Sequence, residues 1–479
     1  MRRWPSLGVA AIAVAALLAA CGGEEQGGTP TATPAATAAG TAAPIGTATA
    51  RATPKATATP QSTPQAMATP TPTPTAAAAR LGKLAFARQG DIRVLDLDSG
   101  QERRLTTDAG AQAPRWSPDG QWVAFYEVQT LDLWVVGADG SGATQVAQSA
   151  AGGATWAPND NRLAYADAEG AVTVVDVESG QRQQVLAPGK QVGRFAWFPD
   201  GRRLVLEVSE WAEQGSPGSG PPRGQGLWLV NADGTGLTEL RSVFVPNSAD
   251  LGTISPDGRW LTLWEGMASA SLRADGLPLR TMPATGGEAQ EVAAATLLKP
   301  GFVVWSPEAD RLAVVEGAGR QVWANRQIVV MRPDGSDRRI LSDAGRADLS
   351  PAWSPDGRRL AFASVEALPL NTPYQQAEAI VLRRRIWSVN ADSSDKRQLT
   401  NDIAYADQFP QWSADGSHIM FVRQPTDAAG LGGEEAAPVE IWLMRADGTD
   451  QRAVATGLSE SWYGYYGVVD WNQVLDWHR

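Results

Sequence analysis

The chain has 479 residues and a formal net charge of −11, with one cysteine and two histidines among 49 glycines, 32 prolines and 19 tryptophans. The first 80 residues hold five basic and two acidic side chains, so residues 81–479 carry −14. That balance argues against nucleic acid and anionic lipid as partners. A single cysteine excludes an internal disulfide, and two histidines exclude a His-rich metal site.

In chain order, Arg2 and Arg3 precede an apolar run from Leu7 to Ala20. The run is too short for an ordinary membrane span and is expected to be a secretory signal, residues 1–20. Its end, Leu18-Ala19-Ala20-Cys21, resembles the bacterial lipoprotein box, which implies lipidation of Cys21; the alternative is a plain signal peptide. Residues 21–80 are the candidate lipidated cysteine followed by Thr, Pro, Ala and Gly, as in ATPTPTPT. Such a segment has almost nothing to bury and is expected to be an extended stalk, or a tolerated low-complexity insert.

From residue 81 onward a unit recurs. Its anchors are RWSPDG at Trp116, TWAPND at Trp156, AWFPDG at Trp197, TISPDG at Ile254, VWSPEA at Trp305, AWSPDG at Trp353, QWSADG at Trp412 and DWNQV at Trp471. The steps are 40, 41, 57, 51, 48, 59 and 59 residues, a spacing that means an array. After each S-P-D-G comes a short apolar run such as WVAF or RLAF. A second run such as LWVV or IWLM follows, then an A-D-G turn, then a last run such as RRLTT. The runs are β-branched and aromatic and are bounded by Pro, Asp and Gly, so they read as strands. Four antiparallel strands per unit make one propeller blade.

The pattern W-S-P-D-G, L-A-F, I-W-V-x-x-A-D-G, L-T resembles the WD40-like β-propeller repeat of TolB-type proteins over nearly all of residues 81–479. The resemblance implies an all-β fold and a single propeller. Eight tryptophan-type strands predict eight four-stranded blades; seven is the alternative if the unit around Leu277-Pro278-Leu279 forms no blade. KLAF at Lys83 has no tryptophan unit before it, so the C-terminal strand is expected to complete the first blade as its innermost strand. Periodic tryptophans are expected to pack between blades.

With strands a to d in each blade, the a–b and c–d turns are tight and share one face. The long insertions fall on the other, at 209–226, 317–327, 365–385 and 424–440 between b and c strands. Long d–a connections (241–251, 341–350, 400–410 and 455–468) add to that face. It is therefore the expected binding face. Its candidate contacts are Trp211, Trp323, Tyr374, Tyr405, Trp462, Tyr463, Tyr465 and Tyr466; the alternative is that these rings pin their own loops. Asp250, Asp348 and Asp407 recur four or five residues before an anchor, at the expected channel mouth. They are candidates to hold a polar ligand, or to cap loops.

No G-x-S-x-G nucleophile motif and no D-x-[DN]-x-[DN]-G calcium loop is present. The expectation is a non-catalytic, monomeric, extracytoplasmic adaptor without cofactor or metal. It would be anchored by lipid alone and bind an envelope protein, peptide or glycan. The alternative is a polysaccharide hydrolase or lyase using carboxylates at the channel mouth.

Overall fold

The computed structural model describes residues 80–107, 110–150, 152–211, 222–244, 246–426, 439–458 and 470–479. The expected signal, Cys21 and the stalk lie outside them. Among the described residues are eight four-stranded antiparallel sheets. They are the blades of an eight-bladed β-propeller, so the seven-blade alternative is excluded. The unit around Leu277-Pro278-Leu279 does form strand Leu277–Pro283 of the fifth blade.

Blade 1 is made of Lys83–Arg88, Asp91–Asp96 and Glu102–Arg104, with Leu475–His478 paired to the first of these. The C-terminal strand therefore closes the ring, as expected, but the anchor is Trp477 and not Trp471. Trp477 pairs with Leu84, as Trp116 pairs with Val123 in blade 2. Trp471 sits in a single 3-10 turn, Trp471–Gln473, and is buried there.

Strand alternation explains the runs of apolar residues. Leu84 and Phe86 point into a cluster shared with blade 8, containing Met420 and Val422; Ala85 and Ala87 point into one shared with blade 2, containing Val123 and Phe125. Both faces of the strand are buried, so KLAF reads as continuously apolar rather than alternating. Eight such clusters, each between consecutive blades, run round the ring.

The tight turns are built by their own side chains. In P-R-W-S-P-D-G, Ser117 Oγ donates to Asp119 Oδ1 (2.6 Å) and accepts from the Trp122 N–H (3.0 Å). Gly120 has φ +66°, and an added Cβ would run into the His478 ring at 2.7 Å. In the c–d turns, Asp139, Asp233, Asp334, Asp392 and Asp447 each accept from a Ser or Thr two residues on. These bonds hold the five carboxyls below their ordinary value. The turns are structural.

Candidate functional site

The turn face receives both ends of the domain. The Leu81 N–H donates to Asp98 Oδ1 in a c–d turn (2.8 Å), and His478 Nε2 lies 3.0 Å from the Pro118 carbonyl. An open polar groove lies on this face between blades 1 and 2, lined by Lys83, Glu102, Trp122 and Asp139.

The opposite face is lopsided. Blades 1 to 3 have short b–c connections, whereas those of blades 5 to 7 pack on one another. Blade 5 contributes helix α1, Ala270–Asp275, which sequence reasoning missed because six residues with no buried side chain give no periodic signal. Asp275 pairs with Arg320 of the blade 6 insertion (2.6 Å and 2.8 Å) and accepts from the Gly319 N–H at its carbonyl (2.8 Å). The blade 6 insertion then meets that of blade 7, where the Leu368 N–H donates to the Trp323 carbonyl (2.9 Å). Blade 7 contributes helix α2, Tyr374–Val381. Trp323, Ala377, Val381, Leu382 and Ala406 form one apolar cluster that carries the contact on to blade 8. The result is a continuous arc from blade 5 to blade 8.

Of the expected ring contacts, Trp323 is part of that cluster and only 2 % exposed. Tyr405 is half-buried, 4.9 Å from the Arg423 guanidinium and 6.2 Å from the Trp442 ring. Trp211 ends the second strand of blade 4 and Tyr374 begins α2; the positions of their rings lie outside the described side chains. Trp462, Tyr463, Tyr465 and Tyr466 lie outside the described residues. Among the described residues, the large apolar side chains exposed on this face are Phe244, Met267, Leu272, Leu370 and Ile403.

The three aspartates are in strands, not loops. Asn247–Ile254, Arg346–Trp353 and Tyr405–Trp412 run past a register shift, so much of each long d–a connection is the first strand itself. Ser350 and Phe409 take left-handed φ at that shift (+52° and +55°). Asp250, Asp348 and Asp407 lie beyond it, each buried and answered by different partners. Asp407 makes a two-pronged pair with Arg423 (2.6 Å and 3.0 Å), whose guanidinium also lies 4.2 Å from the Trp442 ring. Asp348 accepts from Ser364 Oγ, and burial raises its carboxyl. Asp250 binds Arg273 of α1 and accepts from Ser248 Oγ (3.1 Å). The structure does not bring the three together.

It does bring Asp250 to Glu207, a residue that sequence reasoning passed over. The Leu251 N–H (2.9 Å) and Gln225 Nε2 (2.8 Å) donate to Glu207, and Arg194 of blade 4 spans the carbonyls of Leu251 (3.2 Å) and Leu298 (2.9 Å). Burial, and then the Asp250 charge, push Glu207 up to about 7. A lone charge inside RLVLEV was the signal available. Among the described residues no cluster of three or more His, Cys, Asp or Glu is placed to hold a metal.

No family model matches the chain. An uncharacterised protein of Agrobacterium fabrum is 40% identical over 72 residues, which is 14% of this chain and 24% of that one. The chain thus spans about a quarter of that relative. Three solved structures are similar: a candidate TolB from Agrobacterium tumefaciens (16% identity, 78% and 88% of the two chains, TM-score 0.35); an oligogalacturonate lyase from Vibrio parahaemolyticus (12%, 71% and 94%, 0.44); and Porphyromonas gingivalis dipeptidyl peptidase 4 (9%, 79% and 59%, 0.52). The last of these, at that identity, supports the fold alone.

Proposed function

We propose that this protein is a lipid-anchored, extracytoplasmic binding module, non-catalytic, whose elaborated face takes an envelope protein, a peptide or a glycan. The observation that carries this reading is the arc itself. Insertions of successive blades pack on one another through Asp275–Arg320 and the Trp323 cluster, on the face opposite Leu81, where the chain enters the propeller. Loops held rigidly on a scaffold are where binding residues concentrate, and the arc is bordered by exposed Phe244, Leu272, Leu370 and Ile403.

Binding of envelope components by the full chain is compared with that of a variant in which Phe244, Leu272, Leu370 and Ile403 are all serine. A partner lost by the variant while thermal unfolding is unchanged supports the reading. Equal retention by both sinks the assignment of the face. Turnover of an envelope polysaccharide, abolished by changing Asp250, Asp348 or Asp407, would replace the adaptor with the hydrolase or lyase. Retention of a Cys21→Ser chain in the membrane fraction would overturn the lipid anchor.

A further inference from the structure

In every blade one residue comes just before the partner of the anchor on the second strand. Blades 3, 4, 6 and 7 place an arginine there, and each is tied down. Arg162 binds Asp160 (2.9 Å and 2.8 Å), Arg203 binds Asp200 (2.8 Å), Arg311 lies 3.6 Å from Asp337, and Arg359 donates to Ser388 Oγ (2.7 Å). Blades 1 and 2 place Lys83 and Trp122 at this position, and neither is tied. Among the described residues Lys83 has no hydrogen bond or ion pair. The half-buried Trp122 has no acceptor for its indole N–H and no ring or guanidinium against its face.

The polar groove on the turn face lies between these two side chains and measures about 470 Å³, within the range of ligand clefts. Its charges are unequally satisfied. Glu102 accepts from Arg88 and from Arg93 (2.7 Å). Asp96 accepts from the Ser99 N–H and Oγ (2.8 Å each), and Asp139 from the Ser141 N–H and Oγ (2.9 Å and 2.6 Å). Each carboxylate is thus answered from within the chain. Of the cations, Arg103 donates only to the Asp139 carbonyl (2.9 Å), and Lys83 to nothing. With Arg88 and Arg93 counted, four cations meet three carboxylates here, in a domain of net charge −14. Gln101 and Gln121, both exposed, add side-chain amides to the rim.

We propose that this seam is a second binding site, for an acidic saccharide. The C–H face of a pyranose lies on the Trp122 ring, its hydroxyls meet Gln101 and Gln121, and its carboxylate is held by Lys83 and Arg103. An open groove with one aromatic plate suits a ring that has an apolar face and a polar rim. Charge-assisted bonds from cations without a carboxylate partner supply the preference for the acid. The site is on the face opposite the arc, so the inference goes beyond the binding reading and does not depend on it.

Calorimetric titration of the full chain with galacturonate and mannuronate trisaccharides tests this. The comparisons are the same sugars reduced at the carboxyl and a tetraglutamate peptide. At least one acidic trisaccharide is expected to bind, roughly tenfold or more tightly than its reduced form. Lys83→Gln combined with Arg103→Gln is expected to weaken it by a similar factor, and Trp122→Ala to abolish it. A chain carrying Phe244→Ser, Leu272→Ser, Leu370→Ser and Ile403→Ser is expected to bind the sugar as the natural chain does; loss there would move the site to the arc and overturn the proposal. No binding of either acidic trisaccharide at millimolar concentration overturns it, as does equal binding of the reduced sugars. Both of those comparisons use the natural chain, so neither depends on a variant folding. Tetraglutamate binding as tightly as the sugar would replace the saccharide with an acidic peptide.

Discussion

The Trp412 indole Nε1 donates to the carbonyl of Ala352, 60 residues earlier and one position before Trp353, at 3.1 Å. Trp353 does the same to Val304, Trp197 to Thr155 and Trp156 to Arg115, each reaching the residue before the anchor of the preceding blade. Trp305 reaches the Thr253 hydroxyl instead (3.0 Å), beside Ile254. At these five positions the repeat tryptophan is a strand residue, an apolar wedge and a staple to the previous blade at once; Trp116 Nε1 makes no such bond. Trp412→Phe keeps most of the wedge but removes the indole bond to the part-buried Ala352 carbonyl, so it is expected to cost about 1 kcal/mol. Trp412→Ala leaves a cavity as well and is expected to cost about 3–5 kcal/mol. Urea unfolding followed by circular dichroism measures both; equal losses would mean that the hydrogen bond, and not the volume, dominates.

The same regularity made the fold legible. S-P-D-G and A-D-G are local signals, because the Ser–Asp and Asp–Ser bonds that build these turns span only two residues. Blade number follows from counting them. The closing strand was misplaced by six residues for the complementary reason. Trp471 continues the spacing, but the residue that pairs with Leu84 is Trp477, and pairing across some 390 residues leaves no local trace. The site was less legible still. Asp407 and Arg423 are both visible as charges near apolar runs, yet their bond is set by strand register. Glu207 meets Asp250 only because two blades abut, and Gly193 reveals its purpose only when the carboxyl it makes room for is in place.

Closure gives a second expectation. Asp476 Oδ2 accepts from the Trp116 N–H (2.8 Å), Trp477 Nε1 donates to the Leu81 carbonyl (2.7 Å), and His478 packs 5.7 Å from the Trp116 ring. Removing Leu475–Arg479 leaves Lys83–Arg88 with an unpaired inner edge, a template for another chain. The truncated chain is expected to unfold at lower temperature and to self-associate, which light scattering after gel filtration would show. A monodisperse monomer of unchanged stability would mean that the strand contributes nothing to closure.

The Asp407–Arg423 pair separates a structural carboxylate from a ligand-binding one. Both side chains are buried, and Arg423 also lies 4.9 Å from Tyr405 and 5.1 Å from Phe421. Asp407→Asn removes the charge that compensates a buried guanidinium and is expected to cost about 3–5 kcal/mol. Asp407→Leu combined with Arg423→Met is expected to recover most of it, since no uncompensated charge then remains. Equilibrium unfolding of the three chains decides the matter. If Asp407→Asn is as stable as the natural protein, the carboxylate has no structural task, and a role in ligand binding gains ground.

Stability should depend on pH in two opposed ways. Asp96 and Asp356 are held low, chiefly by bonds from Ser99 and Ser354, so the unfolded chain binds their protons first as pH drops below about 4 and stability falls on the acid side. Glu207 acts in the other sense. Between 4.5 and about 7 the folded chain retains a proton that the unfolded chain has released, so stability declines as pH rises through that window and is level above it. The decline attributable to Glu207 is at most about 3 kcal/mol. Urea midpoints from pH 4.5 to 8 are expected to fall more steeply for the natural chain than for Glu207→Gln, in which Asp250 and Asp348 are still raised by burial, the two curves diverging as pH rises. Parallel curves would show that Glu207 titrates at its ordinary value and that the well does not penalise its charge.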